Sequence, residues 1–258
     1  MKLGLTLNSL KLDVKEAIGH ASKTGVKTID VDAARGEVTG AMSSSGRRDF
    51  AKYVNSFGLE VAALGGDFGR TFSDENAVER LFELTERLIG LATDLKVRVI
   101  TTRIGRIPAD ENGREWAALH DVLEEIGKHA ERYEISLATH LGESRPTDAK
   151  RMLDSLGTRG IKVCYDASVL IPGGLDAVQS VYELSDYIAH AYARDVLRGE
   201  GGYVEAVPGD GIVPFKDYLL ALLEIGYQGS CAIKREAGEG TIEDLIRARK
   251  FLEGVVRL

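Results

Sequence analysis

The feature that most constrains how this chain folds is a regular alternation of short apolar runs with longer segments of helical periodicity. The apolar runs have the length of buried β-strands. They lie near Leu3–Leu7, Lys27–Val31, Leu59–Leu64, Val97–Thr102, Ile135–His140, Ile161–Asp166, Tyr187–Arg194 and Ser230–Glu236. The segments between them repeat apolar residues at three- and four-residue spacing, as amphipathic helices do. Eight strands, each followed by a helix, predict one closed (β/α)8 barrel, a TIM barrel, as a single domain over residues 1–258.

Residues that favour helix starts agree with this order. Asp13, the segment Ser43–Ser45 and Thr241 stand where N-caps are expected, and Ser73–Asp74 is predicted to begin the third helix. A doubly wound open sheet is the alternative fold, but that fold needs a glycine-rich phosphate turn after its first strand. The sequence there, LTLNSLK, offers no glycine. The barrel is therefore the predicted fold.

Composition and charge exclude several classes of protein. The chain has 44% hydrophobic and 28% charged residues, which is typical of a globular protein. No apolar run approaches the ~20 residues of a membrane span. The formal net charge of −7 argues against general binding to nucleic acid or to an anionic membrane surface. No secretory leader is recognisable, and Cys164 and Cys231 stand alone in separate strands, so we expect reduced thiols and a cytoplasmic protein.

In a barrel of this kind the functional side chains lie at the carboxyl ends of the strands. The polar residues at these ends are Asn8, Asp30, Asp32, Arg103, His140, Asp166, Tyr192, Arg194, Asp195, Lys234 and Glu236. Side chains alternate along a strand, so Glu236 shares a face with Lys234, and Tyr192 shares one with His190. His190 lies deeper than Tyr192, which favours a hydrogen-bonded core histidine.

Several segments spread over nearly the whole chain resemble one family. They are MKLGLTLNSL, ASKTGVKTIDVDA, FGLEVAALGG, KVCYDASVLIPGG, YIAHAYARDVLRG and VPGDGIVPFKDYLLALLEIGYQG. The chain is similar in these segments to the xylose-isomerase-like TIM barrels, the sugar phosphate isomerase/epimerase superfamily. The resemblance implies a divalent metal, often manganese, bound by a Glu, an Asp, a His and a Glu on strands five to eight. It also implies that the two Glu residues move a proton next to a sugar carbonyl.

When the family's metal ligands are matched to this sequence position by position, most of the metal site that the resemblance implies is missing. Asp166 is kept, whereas Ala138 stands at the position of the first Glu, Tyr192 at that of the His and Lys234 at that of the last Glu. Val169 replaces a His that often follows the Asp. We therefore expect no tightly bound metal and no other cofactor. The alternative is a rebuilt site for an ion such as manganese.

The rebuilt site would use His140, Asp166 and Glu236 as ligands, with Lys234 turned away. Without a metal, Lys234 could stand near Asp166 in place of the ion and keep that carboxylate charged. It could equally form a structural ion pair with Asp166 or Glu236, or act as a Schiff-base lysine. His140 is interpreted as a general base, or else as a hydrogen-bonded histidine at the rim.

Three further residues are predicted to bind the substrate. Arg103 and Arg194 suit a carboxylate, a phosphate or hydroxyl groups, and Tyr192 is grouped with them as a substrate-binding residue. Asp195 could assist Arg194, although rim salt bridges explain such residues equally well. The segment Pro208–Gly211 is predicted to be a loop that folds over the mouth of the barrel, or a plain turn.

Together the residues and the resemblance predict an enzyme that acts on a small sugar or polyol derivative. The expected reaction is an isomerisation, an epimerisation or a related proton transfer next to a carbonyl. The predicted catalytic residues are His140, Asp166, Lys234 and Glu236. The alternative is a non-catalytic relative that binds a sugar-like ligand in the old site. Family members often form homo-oligomers, which is expected here only by resemblance.

Overall fold

The structure is a computed structural model that describes residues 1–142, 144–237 and 241–256. It confirms the predicted (β/α)8 barrel, whose strands run in the closed order β1-β2-β3-β4-β5-β6-β7-β10 with all neighbours parallel. These strands are β1 (Lys2–Thr6), β2 (Thr28–Asp32), β3 (Glu60–Gly65), β4 (Val99–Thr102), β5 (Ser136–His140), β6 (Ile161–Asp166), β7 (Ile188–Ala193) and β10 (Ser230–Ile233). Two further strands, β8 (Asp195–Gly199) and β9 (Gly202–Ala206), form an antiparallel hairpin after β7.

The helices that follow the strands are α1 (Val14–Thr24), α2 (Ser44–Ser56), α3 (Val78–Leu95), α4 (Arg114–Arg132), α5 (Pro146–Ser155), α6 (Gln179–Glu183), α7 (Phe215–Glu224) and α8 (Ile242–Val256). Three predicted N-caps are confirmed. Oδ1 of Asp13 accepts backbone N–H groups at 2.9 and 3.0 Å, Oγ of Ser43 accepts one at 3.2 Å, and Oγ1 of Thr241 accepts one at 3.2 Å. None of the helices in the described ranges is long and apolar enough to cross a membrane.

The third helix begins later than the sequence predicts. It starts at Val78, whereas Ser73 and Asp74 belong to the turn before it. The N–H of Ser73 donates to the carbonyl of Ile104, and Oδ1 of Asp74 accepts from the N–H of Asn76. The capping side chain therefore closes a local turn, because an Asp can satisfy the backbone without starting a helix.

The eighth barrel strand ends at Ile233, before the predicted end at Glu236. The N–H of Arg235 donates to Oγ of Ser9 at 2.9 Å, and that of Glu236 donates to the Glu205 carboxylate at 2.8 Å. Side chains from elsewhere in the fold thus take the backbone donors that a longer strand would have used. This termination places three successive charged residues in a fixed loop at the mouth.

The hairpin formed by β8 and β9 was absent from the expected order of elements. The turn residues GEGG between VLR and YVE in the sequence are a hairpin signal that could have found it. Its first residue, Asp195, is fully buried and accepts backbone N–H groups from Val196, Gly209, Gly211 and Val213 at 2.9 to 3.0 Å. Asp195 is therefore a structural residue that holds the hairpin and the following loop together.

The main core lies between the barrel and its helices, and a small second cluster fills the barrel interior. The interior cluster contains Ala138, Cys164, Tyr192 and Ala232, all buried. Three small side chains leave room for the Tyr192 ring inside the barrel. The structure also confirms that Cys164 and Cys231 are free and buried. Their strands, β6 and β10, are separated by β7.

Candidate functional site

A cavity of about 230 Å³ opens among the carboxyl ends of the barrel strands, and we call it the mouth cavity. It brings together four of the predicted site residues, namely His140, Tyr192, Lys234 and Glu236. Its volume lies below the roughly 300–1,000 Å³ of pockets that take drug-sized ligands, so it suits a smaller molecule. A groove of about 900 Å³ lies elsewhere, between the segments 72–78 and 106–122. Some buried side-chain N and O atoms of the described residues have no hydrogen-bond partner, but none of these atoms belongs to a residue that lines this groove.

His140 ends β5 and stacks on the ring of Tyr192, with 5.6 Å between the ring centroids and 13° between the planes. Burial and the nearby positive charge of Lys234 lower the pKa of His140 to about 3. The imidazole is therefore neutral at physiological pH and can accept a proton or a hydrogen bond. Burial also raises the pKa of the Tyr192 hydroxyl well above its ordinary value, so that ring is neutral too.

Lys234 follows β10 and lies above the same tyrosine. Its Nζ is 4.6 Å from the centroid of the Tyr192 ring and 3.0 Å from Oε1 of Glu236. Partial burial would raise the pKa of Glu236, but the charges of Lys234 and Arg194 hold it below its usual range. The pair supports one of the two structural interpretations of Lys234, the ion pair with Glu236. The cation nevertheless remains part of the cavity wall.

A carboxylate that sequence reasoning missed, Glu205 on β9, anchors this loop. It accepts from Nε of Arg194 at 3.0 Å and from the backbone N–H of Glu236, and it lies 3.2 Å from Nε of Arg235. Arg194 also contacts Oε2 of Glu236 at 3.1 Å. The hairpin thereby fixes the position of the charged loop. Arg194, predicted to bind substrate, is held by carboxylates beside the cavity and is not among its lining residues.

Asp166 ends β6 at the mouth side of the barrel, but it is not among the residues that line the mouth cavity. Its Oδ1 accepts from the N–H of Ser168 at 3.0 Å and from that residue's hydroxyl at 2.6 Å. Its Oδ2 lies 3.9 Å from the Arg194 guanidinium. Burial raises the pKa of Asp166, against the effects of the Ser168 hydrogen bonds and of the charges of Arg194 and Lys234.

The remaining predicted residues lie further out or elsewhere. Arg103 is exposed at the outer rim, where its guanidinium is 3.4 Å from Oδ2 of the cavity residue Asp67. The segment Pro208–Gly211, one interpretation of which was a cover over the mouth, provides two of the N–H groups bound by Asp195. None of its residues lines the mouth cavity.

A buried histidine–carboxylate pair forms the floor of the mouth. Nε2 of His190 lies 2.8 Å from Oδ2 of Asp30, and the two side chains are 1% and 5% exposed. The prediction that His190 is a hydrogen-bonded core histidine is confirmed. Asp30 was recognised in the sequence as a polar strand end, but nothing there indicated that its partner would come from β7.

The side chains at the positions of the family's metal ligands do not fit a divalent ion. Ala138 and Tyr192, which stand where the resemblance implies the first Glu and the His, belong to one buried cluster, and Lys234 adds a positive charge over the Tyr192 ring. Among the residues that the structure describes, no three His, Cys, Asp or Glu side chains are grouped so that they could hold a metal. The rebuilt site is not assembled either, because Glu236 is bound to Lys234 and Arg194 while Asp166 is bound to Ser168.

We expect protein purified without chelator to contain only substoichiometric manganese or zinc. An ion about 4 Å from the Lys234 ammonium would be repelled by about 4 kcal/mol per unit of its charge at an effective dielectric of ~20. Elemental analysis of the purified protein tests this, and the Lys234→Glu variant should gain manganese affinity. Lys162→Glu, which places a carboxylate elsewhere on the barrel, should not. Stoichiometric manganese or zinc in the unaltered protein would contradict the expectation.

Comparison with protein families agrees with this architecture. The family described as "Xylose isomerase-like TIM barrel" matches residues 18–253. The inosose dehydratase of Lacticaseibacillus casei is 25% identical over 166 residues, which cover 56% of this chain and 56% of that protein. The chain thus matches only about half the length of this curated relative.

Two solved structures share the fold. A xylose isomerase domain protein from Planctomyces limnophilus superposes with a TM-score of 0.83 at 17% identity, covering 98% of this chain and 96% of that one. The D-psicose 3-epimerase of Clostridium cellulolyticum H10, solved with D-tagatose, gives a TM-score of 0.77 at 17% identity and covers both chains completely. At these identities the likeness establishes the fold alone.

Proposed function

Because the chain belongs to the xylose isomerase-like TIM-barrel family, a superfamily of carbohydrate-directed enzymes, we propose that its mouth cavity binds a small sugar or polyol derivative with a carbonyl group. The proposed reaction moves a proton at the carbon next to that carbonyl, without a metal in the family position. Isomerisation, epimerisation and dehydration next to a ketone all begin with this step. The named relatives, an inosose dehydratase and a D-psicose 3-epimerase, are consistent with that class.

The observation that carries the proposal is the position of Lys234. Its ammonium lines the mouth cavity over the Tyr192 ring. By the resemblance, Lys234 stands at the position of a carboxylate ligand of the family. Removing a proton next to a carbonyl places negative charge on the carbonyl oxygen. A fixed ammonium in a partly desolvated cavity stabilises that charge, as the family's metal ion would. Lys234 is therefore proposed to polarise the carbonyl.

His140 is the proposed proton acceptor. Its imidazole is neutral, and the ring nitrogens make no hydrogen bond to another of the described residues, so the imidazole is available to a substrate. A base with a pKa of about 3 is weak in the free protein. Negative charge that develops on the substrate raises that pKa, because an opposite charge favours the imidazolium form. The imidazolium can then give the proton to the neighbouring, former carbonyl carbon, while the hydroxyl proton on the carbon that was deprotonated passes to the former carbonyl oxygen, which completes an isomerisation. Epimerisation instead requires that a water molecule deliver a proton to the opposite face of the same carbon, with the imidazolium proton lost to solvent.

The other residues are proposed to position these two groups and the substrate. Glu236 holds the Lys234 ammonium, and Arg194 fixes Glu236. Tyr192 supports both His140 and Lys234 from below. Arg103 at the rim is proposed to meet an anionic or hydroxyl-rich end of the substrate. The proposed role of Asp166 is to balance the charge of Arg194.

A non-catalytic sugar-binding protein is the second candidate. It is favoured by the low pKa of His140, which leaves little driving force for taking a proton from carbon. The cavity would then retain ligand binding without turnover. The two candidates differ in whether a carbon-bound hydrogen exchanges with solvent.

Proton exchange in heavy water decides between them. The purified protein is incubated in D2O with D-tagatose, D-fructose and a polyhydroxylated cyclic ketone, and deuterium at carbon is followed by NMR. We expect incorporation at the carbon next to the carbonyl in at least one of them, at a rate proportional to protein concentration. Saturable binding without exchange would support the sugar-binding candidate, and neither binding nor exchange would contradict both.

A further inference from the structure

Two buried oxygen atoms in the mouth cavity have no hydrogen-bond partner among the described residues. They are Oδ1 of Asp30 and Oγ1 of Thr6. Thr6 and Asp30 face each other in the register of β1 and β2, so their side chains point to the same side of the sheet at the same height. Both residues line the mouth cavity, and Asp30 is only 4% exposed.

The other oxygen of the Asp30 carboxylate is fixed from across the barrel. Its Oδ2 lies 2.8 Å from Nε2 of His190, which is hydrogen-bond distance. The edge of the Tyr192 ring packs against His190 at 5.2 Å between centroids and an angle of 85°. The imidazole and with it the carboxylate are therefore held in one orientation, and Oδ1 is the oxygen left without a donor.

An unpartnered carboxylate oxygen in a buried position is costly, because burial removes the water that would solvate it. A ligand that donates a hydrogen bond to Oδ1 relieves this cost. Thr6 adds a hydroxyl that can both donate and accept. The Asp30 oxygen can accept a hydrogen bond, and the Thr6 hydroxyl can donate one. Together they match a hydroxyl group of a ligand, which would donate to Asp30 and accept from Thr6. The cavity is lined by three cationic side chains, Lys234, Arg235 and Arg35, and by four carboxylates, Asp30, Asp32, Asp67 and Glu236. These charges nearly balance, so a neutral hydroxyl group suits the cavity.

We propose that Asp30 and Thr6 form a subsite that binds a hydroxyl group of the substrate, with His190 as the residue that positions Asp30. The inference rests on the proposed function and deepens it, since it defines the substrate as a compound with a free hydroxyl group besides its carbonyl. The carbonyl faces Lys234 and His140, and the hydroxyl reaches the floor on the β1–β2 side. Asp30 and Thr6 thus act in recognition, and the proton transfer stays with His140 and Lys234.

Calorimetric titration with D-tagatose tests the subsite. Asp30→Asn keeps an oxygen for His190 but replaces the free acceptor by an NH2 donor, and Thr6→Val removes the hydroxyl at nearly constant volume. We expect the dissociation constant to rise by about 10- to 100-fold in Asp30→Asn and by about 3- to 10-fold in Thr6→Val. Asp176→Asn is the matched control, because that carboxylate accepts from the N–H groups of Val178 and Gln179, lies outside the mouth cavity, and should change binding by less than about 3-fold.

A second readout separates recognition from a purely structural role. Each monodeoxy form of D-tagatose is titrated against the unaltered protein and against Asp30→Asn and Thr6→Val. One monodeoxy form should bind the unaltered protein more weakly than D-tagatose, and that difference should disappear in the variants. Thr6→Val carries the test if Asp30→Asn does not fold. Three results would contradict the subsite. They are unchanged affinity for D-tagatose in both variants, a difference in affinity between D-tagatose and the monodeoxy form that persists in the variants, and no saturable binding of D-tagatose.

The outcomes for the subsite and for the proposed function are distinguishable. Binding that depends on Asp30 but occurs without deuterium exchange leaves the subsite standing and refutes the proton transfer. Exchange that continues while binding is indifferent to Asp30 and Thr6 leaves the proposed function standing and refutes the subsite.

Discussion

Replacement of Lys234 by methionine is expected to slow deuterium exchange by about 100- to 1,000-fold, the usual effect of removing one group that stabilises a developing oxyanion. Methionine keeps most of the apolar stem over the Tyr192 ring but removes the ammonium, which lies 4.6 Å from the ring centroid. The loss should therefore fall on the exchange rate more than on ligand affinity. Both are measured in one series of NMR experiments at saturating and limiting ligand.

Lys162→Met is the matched control for this change. Lys162 also lies over a tyrosine, 5.3 Å from the centroid of the Tyr187 ring, but it stands at the start of β6, far from the carboxyl ends of the strands. Its replacement should leave exchange within about 2-fold of the unaltered protein. A Lys234→Met variant that exchanges as fast as this control would show that the cation has no part in the chemistry.

The largest loss of stability is expected from Asp195→Ala. The substitution leaves four backbone N–H groups, from Val196, Gly209, Gly211 and Val213, without their acceptor. A buried donor left without a partner costs about 1–3 kcal/mol, and water that enters the space recovers part of this. We expect the free energy of unfolding to fall by about 3–5 kcal/mol, measured by urea denaturation.

Asp210→Ala provides the comparison within the same loop. The Asp210 carboxylate pairs with Arg247 at 2.7 Å, but both side chains are about half exposed. An exposed ion pair of this kind contributes about 0–1 kcal/mol. The prediction for Asp195 is wrong if its replacement destabilises the protein no more than that of Asp210.

The sequence alone determined the barrel and located each of its eight strands to within three residues. The periodicity of apolar residues in a strand or helix is a local property. Its spacing indicates which face of that segment is buried. N-caps such as Asp13 and Thr241 were predictable for the same reason, since the cap and the N–H it accepts are two or three residues apart. The prediction that Ser73–Asp74 begins the third helix was wrong, because the hydrogen bond from a backbone N–H to an Asp side chain also closes a turn.

The sequence also predicted part of the mouth cavity. His140, Tyr192, Lys234 and Glu236 lie at or near the carboxyl ends of β5, β7 and β10, and the closed barrel brings all such ends to one side. Their grouping follows from strand order and needs no knowledge of individual contacts. Which group pairs with which did not follow: Asp166 pairs with Ser168 and Arg194.

Only the tertiary structure decided the contacts that join distant segments. Asp30 and His190 are 160 residues apart and meet because β2 and β7 face each other across the barrel interior. Glu205 reaches the loop after β10 because the hairpin folds back over the mouth side, a path that no local pattern specifies. Local preferences act over a few residues, whereas these pairings depend on barrel closure, which sets the distances between strands that are far apart in the chain.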